Sequence, residues 1–310
     1  MDRKFLLALL AACAALPAPA QTPQTAPSPG EIAAAAPAVD WVDIAADDLL
    51  VMTLAPDAKG EPRRVIMQLM PPPFSQGWIA NIRTLAAAHW YDGNAIYRVQ
   101  DNYVTQWGDP NADDEKKAKT LPPGLRKMPE RDYTIPMRTL LLEEGPISPS
   151  QDRYSRINEF SGGWPYASDV AREWPIHCYG AVGVSRGQRP DTGDGTSLYA
   201  VNGHAPRHLD RNIAVVGRVV EGMEHLSALP RGTATLGFYK DEADYVPILS
   251  VRLASELPAG EQPHLQYLST ESASFAKYAN ARANRRDPFF LVPAGGADIC
   301  NIPVPIRRKP

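Results

Sequence analysis

Cysteine is scarce, charge of neither sign predominates, and no long apolar run occurs past the first residues. Three cysteines in 310 residues are too few for a disulfide-knit scaffold. Beyond residue 20 no stretch approaches the roughly 20 apolar residues of a transmembrane helix. Against 35 Asp and Glu stand 32 Lys and Arg, a formal net charge of -3 with no basic stripe. That balance argues against a nucleic-acid partner. His177-Cys178 has no second ligand pair at metal spacing beside it, so a metal site is not expected there.

Proline, by contrast, is abundant at 31 residues without a collagen-like period, which implies many loops and sheet edges. Arg3 and Lys4, the apolar run Phe5 to Leu16 and the small residues Ala18-Pro19-Ala20 have the form of a secretory signal peptide over 1–20. A periplasmic or secreted protein is then expected, cleaved near Ala20. The alternative is a lipid anchor at Cys13 in Leu10-Ala11-Ala12-Cys13. Cleavage leaves Cys178 and Cys300, compatible with one disulfide or with two buried thiols. Residues 21–40 are rich in Pro, Ala, Ser and Thr and read as a flexible linker.

Alternation of apolar and polar residues predicts strands at 49–55 and 63–69, joined by the turn Asp57-Ala58-Lys59-Gly60. Val65, Met67 and Leu69 then share one face. Trp78, Ile82, Leu85, Ala86 and His89 recur at helical spacing over 76–89, and Asp92-Gly93 stops that helix. A hairpin follows in IYRVQDNYVTQWGDP, residues 96–110. Period-two alternation places Ile96 with Arg98 and Tyr97 with Val99, while Val104 and Gln106 repeat the spacing on the return strand. Residues 111–178 open with a charged run, contain Gly162-Gly163-Trp164-Pro165, and read as a surface loop insertion. Further strands are expected at 180–184, 197–202, 214–220 and 248–254, with a short helix from Glu221 to about Leu229. A helix at 272–286 and the apolar run Phe289 to Val292 form an extension, 257–310, expected to pack on the body at 41–256.

The hairpin resembles the cyclophilin signature FHRxxxxFMxQGGDP, matched here by Arg98, Tyr103, Val104, Gln106 and Gly108-Asp109-Pro110. A second block agrees in order and spacing: Gly180 to Val184, Ser197 to Asn202, Leu209-Asp210, Val216-Gly217-Arg218-Val219 and Glu221-Gly222-Met223. The resemblance implies a mainly β fold, a closed eight-stranded antiparallel barrel capped by two helices. It also implies peptidyl-prolyl cis-trans isomerase activity without a cofactor, on proline-containing polypeptides, here exported ones, by a monomer. In that family an arginine stabilises the twisted prolyl amide, a role that falls on Arg98, assisted by Gln106. Tyr103, Val104, Ser197, Tyr199, His208 and Leu209 would bind substrate. Departures occur: the family's second glutamine falls on Ser197, its second pocket phenylalanine on Tyr199, and the aromatic before Leu-Asp on His208. Cyclosporin sensitivity is therefore not expected.

Other readings compete. Taken alone, Arg98 is a surface strand arginine in a salt bridge, and Tyr103 and Val104 are barrel core. The fold could serve as a catalytically weak proline-binding chaperone or scaffold. Gly183-Val184-Ser185-Arg186-Gly187 matches the nucleophile elbow of serine hydrolases, with His204, His208 and Asp210 downstream. An elbow must lead into a helix, whereas this one leads into the Gly/Pro/Asp segment 188–196.

Overall fold

The computed structural model describes residues 26–137 and 152–310. The expected signal peptide, residues 1–20, and Cys13 lie outside the described residues, as does 138–151 of the insertion. Eight strands close an antiparallel barrel: Leu49–Leu54 (β1), Arg63–Leu69 (β2), Ala95–Val99 (β3), Val104–Gly108 (β4), Ala181–Val184 (β5), Leu198–Val201 (β6), Val215–Glu221 (β7) and Val246–Leu253 (β8). Around the barrel the order is β5-β6-β4-β3-β8-β1-β2-β7. The β1–β2 turn forms as its residues dictate: Asp57 accepts from the backbone N–H of Lys59 and Glu61 at 2.8 and 2.9 Å, and Gly60 takes φ 83°. Val65, Met67 and Leu69 point into the main core.

Two helices pack on this core. Gln76–Ala87 buries Trp78, Ile79, Ile82, Leu85 and Ala86, and Met223–Ser227 buries Leu226. The first ends earlier than its periodicity predicts: His89 has φ 53° and is exposed. Once the chain turns left-handed there, the side chain leaves the apolar stripe.

Three expectations are corrected. The insertion is no plain loop: Ile135–Pro136, Ile157–Ser161, Trp164–Ser168 and Arg172–Pro175 form a four-stranded antiparallel sheet. Its central turn is Gly162-Gly163, with φ 56° and 82°, because Ser161 pairs with Trp164 and a two-residue hairpin of this hand needs positive φ at both positions. Aromatic side chains fuse the insertion to the barrel helix and the turn before it: Tyr133 stacks on Trp78 at 5.5 Å and Tyr166 on Phe74 at 4.7 Å.

Nor is 21–40 wholly a tether. Pro29–Ala34 is a helix with a complete capping box between Ser28 and Glu31, and Ile32 and Ala33 pack on the cluster that holds Phe275 and Tyr278 of the helix Ala273–Ala283. Finally, Phe289, Leu291 and Val292 are exposed and do not pack on the barrel. The extension docks through other residues. Its strands Leu265–Leu268 and Ile306–Arg308 join Trp41–Asp43 in a three-stranded sheet, and Leu265 packs with Leu49, Val51 and Ile66 on the outside of β1 and β2.

A disulfide joins Cys178 to Cys300, 122 residues apart, tying the extension to the segment before β5. Among the described residues no helix is long and apolar enough to cross a membrane.

Candidate active site

The site begins with an irregularity in β3. Ile96 pairs with Trp107 but Arg98 with Gln106, so Tyr97 is an extra residue in the ladder. This bulge corrects the predicted alternation. Ile96 and Val99 both point into the core, whereas Tyr97 and Arg98 are half-buried on the outer side. Bulges re-aim side chains in this way, and here two consecutive polar groups reach one surface.

From Arg98 a row of residues crosses four adjacent strands. Arg98 stands opposite Gln106, Gln106 opposite Tyr199, and Tyr199 opposite Gly183. Glycine is required at the end of this row: a Cβ on Gly183 would lie 2.3 Å from the Tyr199 hydroxyl oxygen. The ring therefore leans over β5 and is buried.

The guanidinium of Arg98 is held on several sides. Nε donates to Leu236 O at 2.7 Å, Nη1 to Gln106 Oε1 at 2.8 Å, and Nη2 to Gln100 Oε1. It lies 5.9 Å from the Tyr103 ring centroid and 5.4 Å from that of Phe238, and Tyr97 stacks on Phe238. One N–H on each terminal nitrogen has no acceptor among the described residues, since the fork carries five donors. Burial lowers the Arg98 pKa, opposed by the two tyrosines. Arginine starts so high that the cation persists at neutral pH.

Gln106 is buried and fully engaged. Its Oε1 accepts from Arg98, and its Nε2 faces Tyr97 Oη and Ser185 Oγ at 2.9 Å and Ser197 Oγ at 3.2 Å. Tyr97 Oη and Ser197 Oγ are 2.8 Å apart. Two hydrogens thus serve three hydroxyl oxygens.

Beside this polar row lies an apolar one. Val104 and Tyr199 are buried, with Tyr103 and Leu209 packed against the same cluster. His208 is exposed and stacks on Tyr103, ring centroids 6.0 Å apart and nearly parallel. All eight sequence-predicted residues fall in this region. Sequence reasoning missed Tyr97, Gln100 and Phe238, which the bulge and the 235–239 turn bring in. It also missed a network beneath Tyr199. The Tyr199 hydroxyl is 2.9 Å from His177 Nε2, and His177 Nδ1 is 2.9 Å from Asp210 Oδ1. Asp210 also accepts from the His177 backbone N–H and from Arg207 Nε, and Arg207 reaches Asp152 of the insertion.

The elbow reading is not supported by this geometry. Ser185 runs into a loop, Asp210 pairs with His177, and Ser185 Oγ meets Gln106. Among the described residues the arginine of β3 likewise makes no salt bridge, since its partners are amides, a carbonyl and rings.

Comparison with known proteins agrees with this architecture. Residues 78–253, more than half of the chain, match the family model described as cyclophilin type peptidyl-prolyl cis-trans isomerase/CLD. No curated protein matches. Among solved structures the chain is similar to cyclophilin AquaCyp293 from Hirschia baltica, at 18% identity and a TM-score of 0.63, over 86% of this chain and 92% of that one. A cyclophilin type peptidyl-prolyl cis-trans isomerase from Cryptosporidium parvum matches at 12% identity and a TM-score of 0.39, over 66% of this chain and 97% of its own. A closed eight-stranded barrel with this family match leaves one assignment: the chain belongs to the cyclophilin type peptidyl-prolyl cis-trans isomerase family and is a peptidyl-prolyl cis-trans isomerase.

Proposed function

We propose that Arg98 carries the isomerase reaction by stabilising the twisted X-Pro amide. Amide resonance sets a barrier of about 18–20 kcal/mol. Rotation out of plane localises the prolyl nitrogen lone pair, and a donor already aimed at that nitrogen lowers the barrier without reorganising. The observation that carries this reading is the Arg98 fork, fixed by Gln106 at 2.8 Å while keeping one unengaged N–H on each terminal nitrogen. Proline would rest on Tyr103, Val104, Tyr199 and Leu209. Gln106 positions the arginine, and Ser197 and Ser185 offer hydroxyls to the substrate backbone. His208 forms the rim.

The substrates we assign are exported polypeptides, met in the periplasm or outside the cell. The leader-like segment 1–20 and the Cys178–Cys300 disulfide support this, because such bonds persist in oxidising compartments. A protease-coupled or NMR exchange assay on an Ala-Pro peptide tests the mechanism. Arg98→Ala is expected to lower kcat/KM by about 100-fold or more, the scale of losing one preorganised donor, and Arg98→Lys is not expected to restore it. A wild type no faster than Arg98→Ala would leave only proline binding, the weak chaperone reading.

A further inference from the structure

A cavity of about 220 Å³, partly open to solvent, lies where the barrel, the insertion sheet and the C-terminal extension meet. Ala181 and Gly217 come from β5 and β7, Phe160 and Trp164 from the insertion, and Ile302 and Val304 from the extension. None of the proposed substrate residues lines it. Among the described residues no aspartate or glutamate does either, while two arginines do, Arg218 and Arg282.

The partners of both arginines among the described residues are neutral. Arg218 donates to Gln68 Oε1 from Nε and Nη2 at 3.0 and 2.7 Å and to Gly163 O from Nη1 at 2.7 Å, and it lies 4.2 Å over the Trp164 ring. Arg282 donates to Asn301 O at 2.8 Å. Among the described residues neither meets a carboxylate. Burial brings the Arg218 pKa down to about 10, so the group stays charged at neutral pH. A cation enclosed by neutral partners is costly, and each terminal nitrogen of Arg218 retains one N–H. An entering carboxylate would supply both the charge and the acceptors. The remaining wall is apolar and aromatic, suited to a hydrocarbon body. A dry cavity of about 150 Å³ takes a benzene-sized guest, so this one has room for about ten non-hydrogen atoms.

We propose that this cavity binds a small amphiphilic carboxylate, an organic acid with a compact or linear apolar body, its carboxylate on Arg218 and its hydrocarbon against Trp164, Ile302 and Val304. A neutral apolar guest would leave the two charges unmatched. A multiply charged polar anion would waste the apolar wall.

Calorimetric titration of sodium octanoate into the full, oxidised chain tests this, with ligand-observed NMR as a second reading. One octanoate is expected to bind per chain, octan-1-ol about tenfold more weakly or worse, and octylammonium not at all. Arg218→Gln is expected to weaken octanoate about tenfold. Should that variant fail to fold, Arg282→Gln at the rim and Val219→Phe, which takes up cavity volume, decide the matter, and each must weaken binding. Absence of binding at millimolar octanoate, equal affinity for octanol, or unchanged affinity in the folded variants would overturn the proposal.

Discussion

Tyr199 puts a hydroxyl beneath the proposed proline pocket, and the buried side chains below it are arranged around that hydroxyl. Asp210 accepts from the backbone N–H of His177 and from its Nδ1–H, and the Tyr199 hydroxyl hydrogen-bonds Nε2 on the other side of the ring. Removing one partner leaves the other buried without a bond, at a cost of about 1–3 kcal/mol, whereas removing both costs less than the sum. Tyr199→Phe and His177→Phe are therefore each expected to destabilise the protein in urea unfolding. Their double variant is expected to show a coupling of about 0.5–3 kcal/mol. Strict additivity would mean that the 2.9 Å contact contributes nothing. Gly183→Ala is expected to act through the same ring: with the added Cβ 2.3 Å from its hydroxyl oxygen, Tyr199 must move. Isomerase activity should then fall by more than stability alone explains.

At the scale of elements, the sequence marks strands and helices where local chemistry decides them. Asp57 and Gly60 specify the β1–β2 turn whatever surrounds it, and the apolar stripe of 76–87 specifies its helix. The bulge at Tyr97 has no such mark, because which residue is extra depends on the partner strand. For the same reason the true neighbours of Arg98 were only partly legible. The insertion sheet was hidden otherwise: its strands contain Pro136, Pro165 and Pro175 and alternate poorly, and they hold together through Tyr133, Trp164 and Tyr166 packed on distant residues. His177 and Asp210 lie 33 residues apart in the chain, a pairing no local pattern announces. One link between elements is open to titration. Asp92, after the first barrel helix, holds Arg252 of β8 at 2.6 and 2.7 Å. Burial raises its pKa, but the bonds from Arg252 and the Val251 N–H outweigh that and leave it lowered. A depressed folded pKa contributes stability that is complete above the unfolded value, about 3.9, and lost as pH falls through the folded one. Wild type should thus lose stability below about pH 4 more steeply than Asp92→Asn. Parallel pH profiles of the unfolding midpoint would show that this pair carries no such linkage.

The whole molecule is a barrel that depends on its own C-terminus for part of its covering. Leu49, Val51 and Ile66 on the outer side of β1 and β2 are buried beneath Leu265 and its neighbours. Residues such as Ile66 could not remain solvent-facing in a stable isolated barrel without exposing a contiguous apolar patch. What keeps this covering in register is the three-stranded sheet of the extension together with the Cys178–Cys300 bond. A cross-link closing a loop of that length restricts the unfolded chain more than the folded one, by about 4–5 kcal/mol in the chain-entropy account, within a usual range of about 2–5. The variant Cys178→Ser/Cys300→Ser is expected to fold and to lose stability of that order, read from its denaturant midpoint. Dithiothreitol should bring the wild-type midpoint down to that of the variant and leave the variant unmoved. The disulfide also borders the proposed carboxylate cavity, and His177, next to Cys178, supports Tyr199. Reduction should therefore weaken octanoate binding in the cavity and lower isomerase activity together. Activity that stays constant after full reduction, while the denaturant midpoint falls, would show that the bond stabilises the fold without holding His177 in place.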